Sequence, residues 1–137
     1  MLTSSRSLSG RALDWATAMV QGFMPAKTEK RAWGMATVAA PEKAFSTRLI
    51  GKGGCTLRFS AYSPTEDQCQ GGFIIDFHHI STIYRRDASL WVASMQSMQY
   101  GDVTVQGKTR LEAAMRCLVI AERGDSIEVP PELPSAQ

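Results

Sequence analysis

The sequence is short of the residues that hold metals. Its three cysteines stand far apart at 55, 69 and 117 with no CxxC pair, and its two histidines are adjacent at 78 and 79 with no H-x-x-x-H spacing. Nothing therefore signals a zinc site or a redox dithiol, and the odd, scattered thiols read as free cysteines in a reducing cytoplasm. No apolar run approaches the roughly 20 residues that cross a bilayer. Charge of one sign is also scarce. The net charge is +2, and acids interleave with the bases in "KTEKR" (27–31) and "YRRD" (84–87). Nucleic-acid binders carry a stronger basic stripe, so both clusters read as solvated surface. A G-x-S-x-G elbow and a paired-carboxylate motif are missing. The "GKGG" at 51–54 lacks the spacing and the Lys-Ser/Thr end of a phosphate loop and reads as a tight turn between strands. No catalytic residue, metal ligand or cofactor is assigned, and the chain leans away from being an enzyme.

What is present is an ordinary globular composition, 44% hydrophobic and 20% charged, enough for one core. The whole chain, 1–137, reads as a single domain. Residues 8–23, "LSGRALDWATAMVQGF", predict a first helix capped by Ser9 and stapled by Leu8. Its apolar face is Ala12, Leu13, Ala16, Met19, Val20 and Phe23, with Trp15 beside it and Asp14 and Thr17 on the wetter side. Asp14 and Gln21 interrupt the apolar residues, so the segment reads as fold and not as a targeting peptide.

Short β-rich segments follow at 32–38, 45–50, 55–62, 72–84 (with a break near His79), 90–95 and 102–106, separated by turn residues. The clearest element is "TRLEAAMRCLVIAERGD". Thr109 and Glu112 form a capping box, Leu111, Ala114, Met115, Leu118 and Ala121 share a face, and Gly124 ends the helix. Cys117 flanks that face in mid-helix, away from any helix N-terminus or facing cation that would stabilise a thiolate, and is assigned to the core. The ends, 1–7 and 127–137, are expected to be flexible. The fold class expected is α+β: an antiparallel sheet of about four to six strands flanked by an N-terminal and a C-terminal helix.

Two constellations merit attention as sites. In "DFHH", an extended backbone would put Asp76 and His78 on one face, the beginning of a metal or general-base site, although a simple hydrogen bond is the commoner role for such a pair. Gly71 and Gly72, with Arg85, Arg86 and a stacking Trp91, could make a pocket tolerant of a small anion such as a nucleotide.

Three blocks resemble one family. "LSGRALDWATAMVQGF" is similar to the opening L-[ST]-G-x-A-L-D-W-A-[VT]-A of the NinX-like family of small phage and prophage proteins of unassigned function. "YSPTEDQCQGGFIID" is similar to its Y-S-x-x-x-D-x-x-Q-[AG]-G-P-I-I-E segment, and "LEAAMRCLVIAERGDSIEVPPEL" to its closing L-x-A-A-M-R-C-x-V-x-x-x-x-G-D-x-[VI]-[ED]-[VI]-P. Phe73 stands where the family usually has proline, and Asp76 where it has glutamate. The resemblance implies an accessory protein acting in the bacterial host cytoplasm on a host protein, for example as an inhibitor of a defence system. A small-molecule sponge and a His/Asp-dependent enzyme are the alternatives. No membrane and no nucleic-acid partner is expected, and the sequence leaves the oligomeric state open.

Overall fold

A computed structural model describes residues 2–25, 28–30, 36–38, 48–51, 56–130 and 133 of the chain. Strand β1 (Leu2–Ser4) and a 3-10 turn (Ser5–Ser7) lead into helix α1 (Gly10–Val20). Short strands β2 (Met24–Pro25), β3 (Thr28–Lys30), β4 (Ala36–Val38), β5 (Arg48–Ile50) and β6 (Thr56–Arg58) follow, then a second 3-10 turn (Phe59–Ala61) and helix α2 (Gln68–His78). The chain continues through β7 (Ser81–Arg85), β8 (Leu90–Ser97) and β9 (Gly101–Gly107) into helix α3 (Arg110–Arg123), and closes with β10 (Ser126–Glu128). The expected strand segments 32–35 and 45–47, the turn at 52–54, Trp33 and Cys55 lie outside the described residues.

The class is α+β, with helices towards both ends. The strands, however, are divided among small antiparallel sheets: β1–β10, β2–β5–β6, β3–β4 and β7–β8–β9. The last of these carries the main packing. In β9 Val103, Val105 and Gly107 are buried while their neighbours are exposed, so one face is dry. Through the register Ala93↔Val105 and Met95↔Val103 that face continues across β8.

Helix α3 lies on this face. The capping box forms much as the sequence predicts: the Thr109 hydroxyl accepts from the Glu112 amide at 3.0 Å, and the Glu112 carboxylate accepts from the amide of Lys108, one residue earlier than the standard pattern, also at 3.0 Å. Gly124 ends the helix at φ +81° and ψ −157°, a backbone conformation reserved for glycine, instead of the left-handed turn expected. Nine of the helix's residues are buried, from Leu111 to Ala121, because α1 covers the side opposite the sheet. Close approach needs small residues here. A Cβ on Gly107 would sit 2.5 Å from the Ala113 backbone nitrogen.

Helix α1 departs from the expected wet side. Asp14 and Thr17 are buried, and the segment from Phe59 to Thr65 lies against Asp14 and Arg11. Asp14 Oδ2 accepts from Arg11 at 2.7 Å and Oδ1 from the Thr65 amide at 3.0 Å. Arg11 also donates to the carbonyls of Tyr62 and Phe59, its guanidinium lies 4.1 Å from the Phe59 ring centroid, and Trp15 meets the same ring edge-on at 5.0 Å. Ser9 takes the N-cap position with an extended backbone but without a side-chain capping bond. Strand β1 pairs with β10, and the buried Ser5 hydroxyl donates to the Gly124 carbonyl at 2.8 Å.

The Gly107 contact yields a direct prediction. Gly107→Ala forces helix and strand apart and is expected to lower unfolding stability by about 2 kcal/mol or more. An unchanged denaturation midpoint would mean that α3 does not sit this close to β9.

Candidate functional site

The segment 68–78 is a helix, not the strand expected for 72–84; of that run only Ser81–Tyr84 is extended, within β7. The N-cap is Asp67, whose Oδ1 accepts from the amides of Cys69 at 2.8 Å and Gln70 at 3.3 Å. Gln70 Nε2 reaches back to Asp67 Oδ2 at 3.3 Å and to the Ala61 carbonyl at 3.0 Å. His79 ends the helix in the left-handed conformation, φ +54°. Gly71, Ile74 and Ile75 face inward. On the opposite side Phe73 and Phe77 are 68% and 66% exposed, and their rings stack at 6.1 Å with 21° between planes. A helix apolar on both sides has little amphipathic pattern.

This geometry separates the proposed Asp76–His78 pair. Residues two apart on a helix point in different directions. Asp76 is exposed, whereas His78 is half-buried, with its Nε2 2.8 Å from Gln21 Nε2 at the end of α1. Burial lowers the His78 pKa below 6.5, opposed by Glu122 and reinforced by His79. Among the described residues no three His, Cys, Asp or Glu side chains come together as a metal group.

Within the anion-tolerant set, Gly71, Arg85 and Trp91 already have partners. A Cβ on Gly71 would lie 2.4 Å from the Pro64 carbonyl oxygen and 2.5 Å from Leu111, so the glycine serves close packing of α2 on the start of α3. Gly72 has open space around it. Arg85 makes a two-pronged pair with Asp87, at 3.2 and 3.1 Å, on the surface, and Arg86 is exposed in the adjoining turn. Trp91 is half-buried against the core and packs on Tyr84 across the strand pair at 5.4 Å. Arg85 and Trp91 therefore belong to one hairpin, β7–β8.

Two clefts accompany these elements. One of about 610 Å³ lies between the end of α2 and the far face of the sheet, lined by His78, His79, Ser81, Ser94, Asp102 and Thr104 among others. Its hydroxyl row follows the strand register, Ser81 opposite Ser94 and Ser94 opposite Thr104. The other, about 890 Å³, is an apolar groove between α1 and the β1–β10 ribbon, with Trp15, Met19, Phe23, Ile127 and Val129 on its walls.

Sequence reasoning missed Phe73 and Phe77 as a surface feature. The signal available was Asp67 followed by Gln70, an N-cap and its third helical residue, which would have started a helix there and put the two phenylalanines one turn apart.

A small α+β protein presenting an aromatic pair on the outward side of a helix is the class that the geometry defines. Residues 5–122 match the family model Bacteriophage P22, NinX, and the chain belongs to that family. No curated protein matches it. No helix among the described residues is long and apolar enough to cross a membrane.

Cys117 is buried, its thiol 3.6 Å from the Val103 carbonyl, and burial pushes its pKa up to about 12. In the folded protein iodoacetamide is therefore expected to modify the exposed Cys69 and to spare Cys117 until denaturant is added; equal rates at both would place Cys117 outside the core. His78 gives a pH prediction. The unfolded chain takes up its proton near 6.5, the folded chain only at lower pH, so stability present above 6.5 declines as pH falls through and below it. His78→Gln is expected to flatten that part of the profile, and parallel curves for the two proteins would contradict the burial of the imidazole.

Proposed function

We infer that this protein is a non-enzymatic phage accessory protein that binds a host protein in the bacterial cytoplasm, with the outward face of α2 as the contact surface. One observation carries the reading: Phe73 and Phe77 are stacked on each other yet left about two-thirds exposed. Burying such a ring gains roughly 1.5–3 kcal/mol, and aromatic side chains recur at the energetic centres of interfaces. Asp67 caps the helix beneath, Gly71 packs it closely on Leu111 and the Gln21–His78 bond ties its far end to α1, so the pair is pre-positioned for binding.

Membership of a phage family supports an accessory role, and inhibition of a host defence system is the form of that role we favour. The nucleotide-sponge reading draws less support, since Arg85 already has Asp87 as its partner and Gly71 is occupied by packing.

The test is affinity capture from host lysate with wild-type protein and with the double variant Phe73→Ser/Phe77→Ser. Both positions are exposed, so the variant is expected to fold with an unchanged circular dichroism spectrum. A host protein retained in stoichiometric amount by the wild type and reduced at least about tenfold by the variant is the expected result. Retention that ignores the substitutions, or no retained protein at all, overturns the reading.

A further inference from the structure

The three-stranded sheet β7–β8–β9 has two edges, and they are treated differently. Along β9 the guanidinium of Arg6 donates to the Thr104 carbonyl at 3.2 Å and that of Arg116 to the Gln106 carbonyl at 2.8 Å. These contacts occupy the outer edge of β9. Along β7 no strand among the described residues pairs with the outer edge, and Ile83 and Tyr84 are 64% and 48% exposed. Sheet edges are ordinarily protected by proline, bulges, inward charges or short length. Strand β7, "STIYR", has no proline and carries its single charge at the end.

The register fixes which groups are available. Since Thr104 and Gln106 point away from β8, β8 uses its odd-numbered residues towards β9 and its even-numbered ones towards β7. Val92 and Ser94 stand opposite Ile83 and Ser81, so the odd-numbered residues of β7 bond to β8. The N–H and C=O groups of Thr82 and Tyr84 are left facing outward.

We propose that β7 is a homodimerisation edge, on which a second copy of this chain pairs its own β7 antiparallel about a two-fold axis at Ile83. In that register Thr82 meets Tyr84 of the second copy and Tyr84 meets its Thr82, each pair exchanging both backbone hydrogen bonds. Both outward-facing residues are used, and all five residues of the strand overlap. Ile83 meets its own equivalent as the close, non-hydrogen-bonded pair, about 4.5 Å between Cα atoms. Charge is compatible with self-pairing. Arg85 falls opposite Ser81, no like charges are opposed, and Asp87 already neutralises each Arg85. The product is a continuous six-stranded sheet. A single five-residue strand buries less than the roughly 1,000 Å² of a durable interface, so the dimer is a weak one, with a dissociation constant on the order of 10 µM or above.

Sedimentation velocity on the full chain from about 5 to about 500 µM tests this, with Ile83→Lys as the disrupting variant. The expected result is a concentration-dependent monomer–dimer equilibrium that Ile83→Lys weakens at least about tenfold. A second measurement does not depend on that variant's folding. In a Cys69→Ser background, Ile83→Cys is expected to give a disulfide-linked dimer under mild oxidation, because the Cα separation falls within disulfide range. Cys69→Ser alone should stay monomeric on a non-reducing gel. A monomer at every concentration, with no cross-link through position 83, overturns the proposal and leaves the edge to a foreign segment. A dimer indifferent to Ile83→Lys also overturns it, by placing the interface on another face.

Discussion

Almost everything in this fold depends on covering both sides of α3. A helix with nine buried residues among fourteen cannot rest on a sheet alone, because a sheet dries only one stripe of it. Here the β7–β8–β9 sheet takes one side and α1 the other, and the approach to β9 is close because Gly107 meets Ala113 without a side chain between them. Polar bonds then fix the arrangement at its rim. Arg116 donates to the carbonyls of Leu8 and Gln106 and pairs with Glu112 at 3.2 Å, so one guanidinium ties the entry to α1, the last strand of the sheet and α3 itself. At the other end Ser97 donates to the Ala121 carbonyl at 2.7 Å.

A second node sets the place of α2. The Asp14 carboxylate is buried, and burial raises its pKa more than the Thr65 amide and the Arg11 guanidinium lower it. Such a charge is costly unless its partners are in place, so it is a strong constraint on where those partners lie. Asp14 and Arg11 together hold Phe59, Tyr62 and Thr65, which is the stretch of chain that delivers Asp67 to the start of α2. The neighbouring Tyr62 phenol is pushed well above its ordinary range by the same burial and by the Asp14 charge. The exposed aromatic pair on α2 is thus placed by a polar node on α1, with His78 tying the far end of α2 to Gln21.

The parts of this arrangement legible in the sequence are those where one local signal dominates. Thr109, Glu112 and Gly124 bracketed α3, the β-rich run 102–106 marked β9, and the position of Cys117 on α3 indicated the core. Helix α2 was hidden because local preference runs against it: two glycines, two isoleucines and a histidine are poor helix formers, and phenylalanines on the wet side erase the helical period. Tertiary contacts reverse that preference, since Gly71 is needed against Pro64 and Leu111. Asp14 was misplaced for a related reason. An acid reads as wet until the partners that bury it are known, and Thr65 is 51 residues away. The exposed aromatic face on α2 inherited that obscurity, and the helix turns Asp76 and His78 in different directions where a strand would have aligned them.

Helix α3 packs against α1, α2 and the β7–β8–β9 sheet, whereas α2 is held at its ends. Native-state hydrogen exchange measures this directly. The amides of α3 from Ala114 to Ala121 are predicted to exchange only through global unfolding, with the largest protection in the chain, while those on the outward side of α2 open at lower free energy. Protection in α3 no greater than in α2 would contradict the claim that the fold is organised around the buried helix.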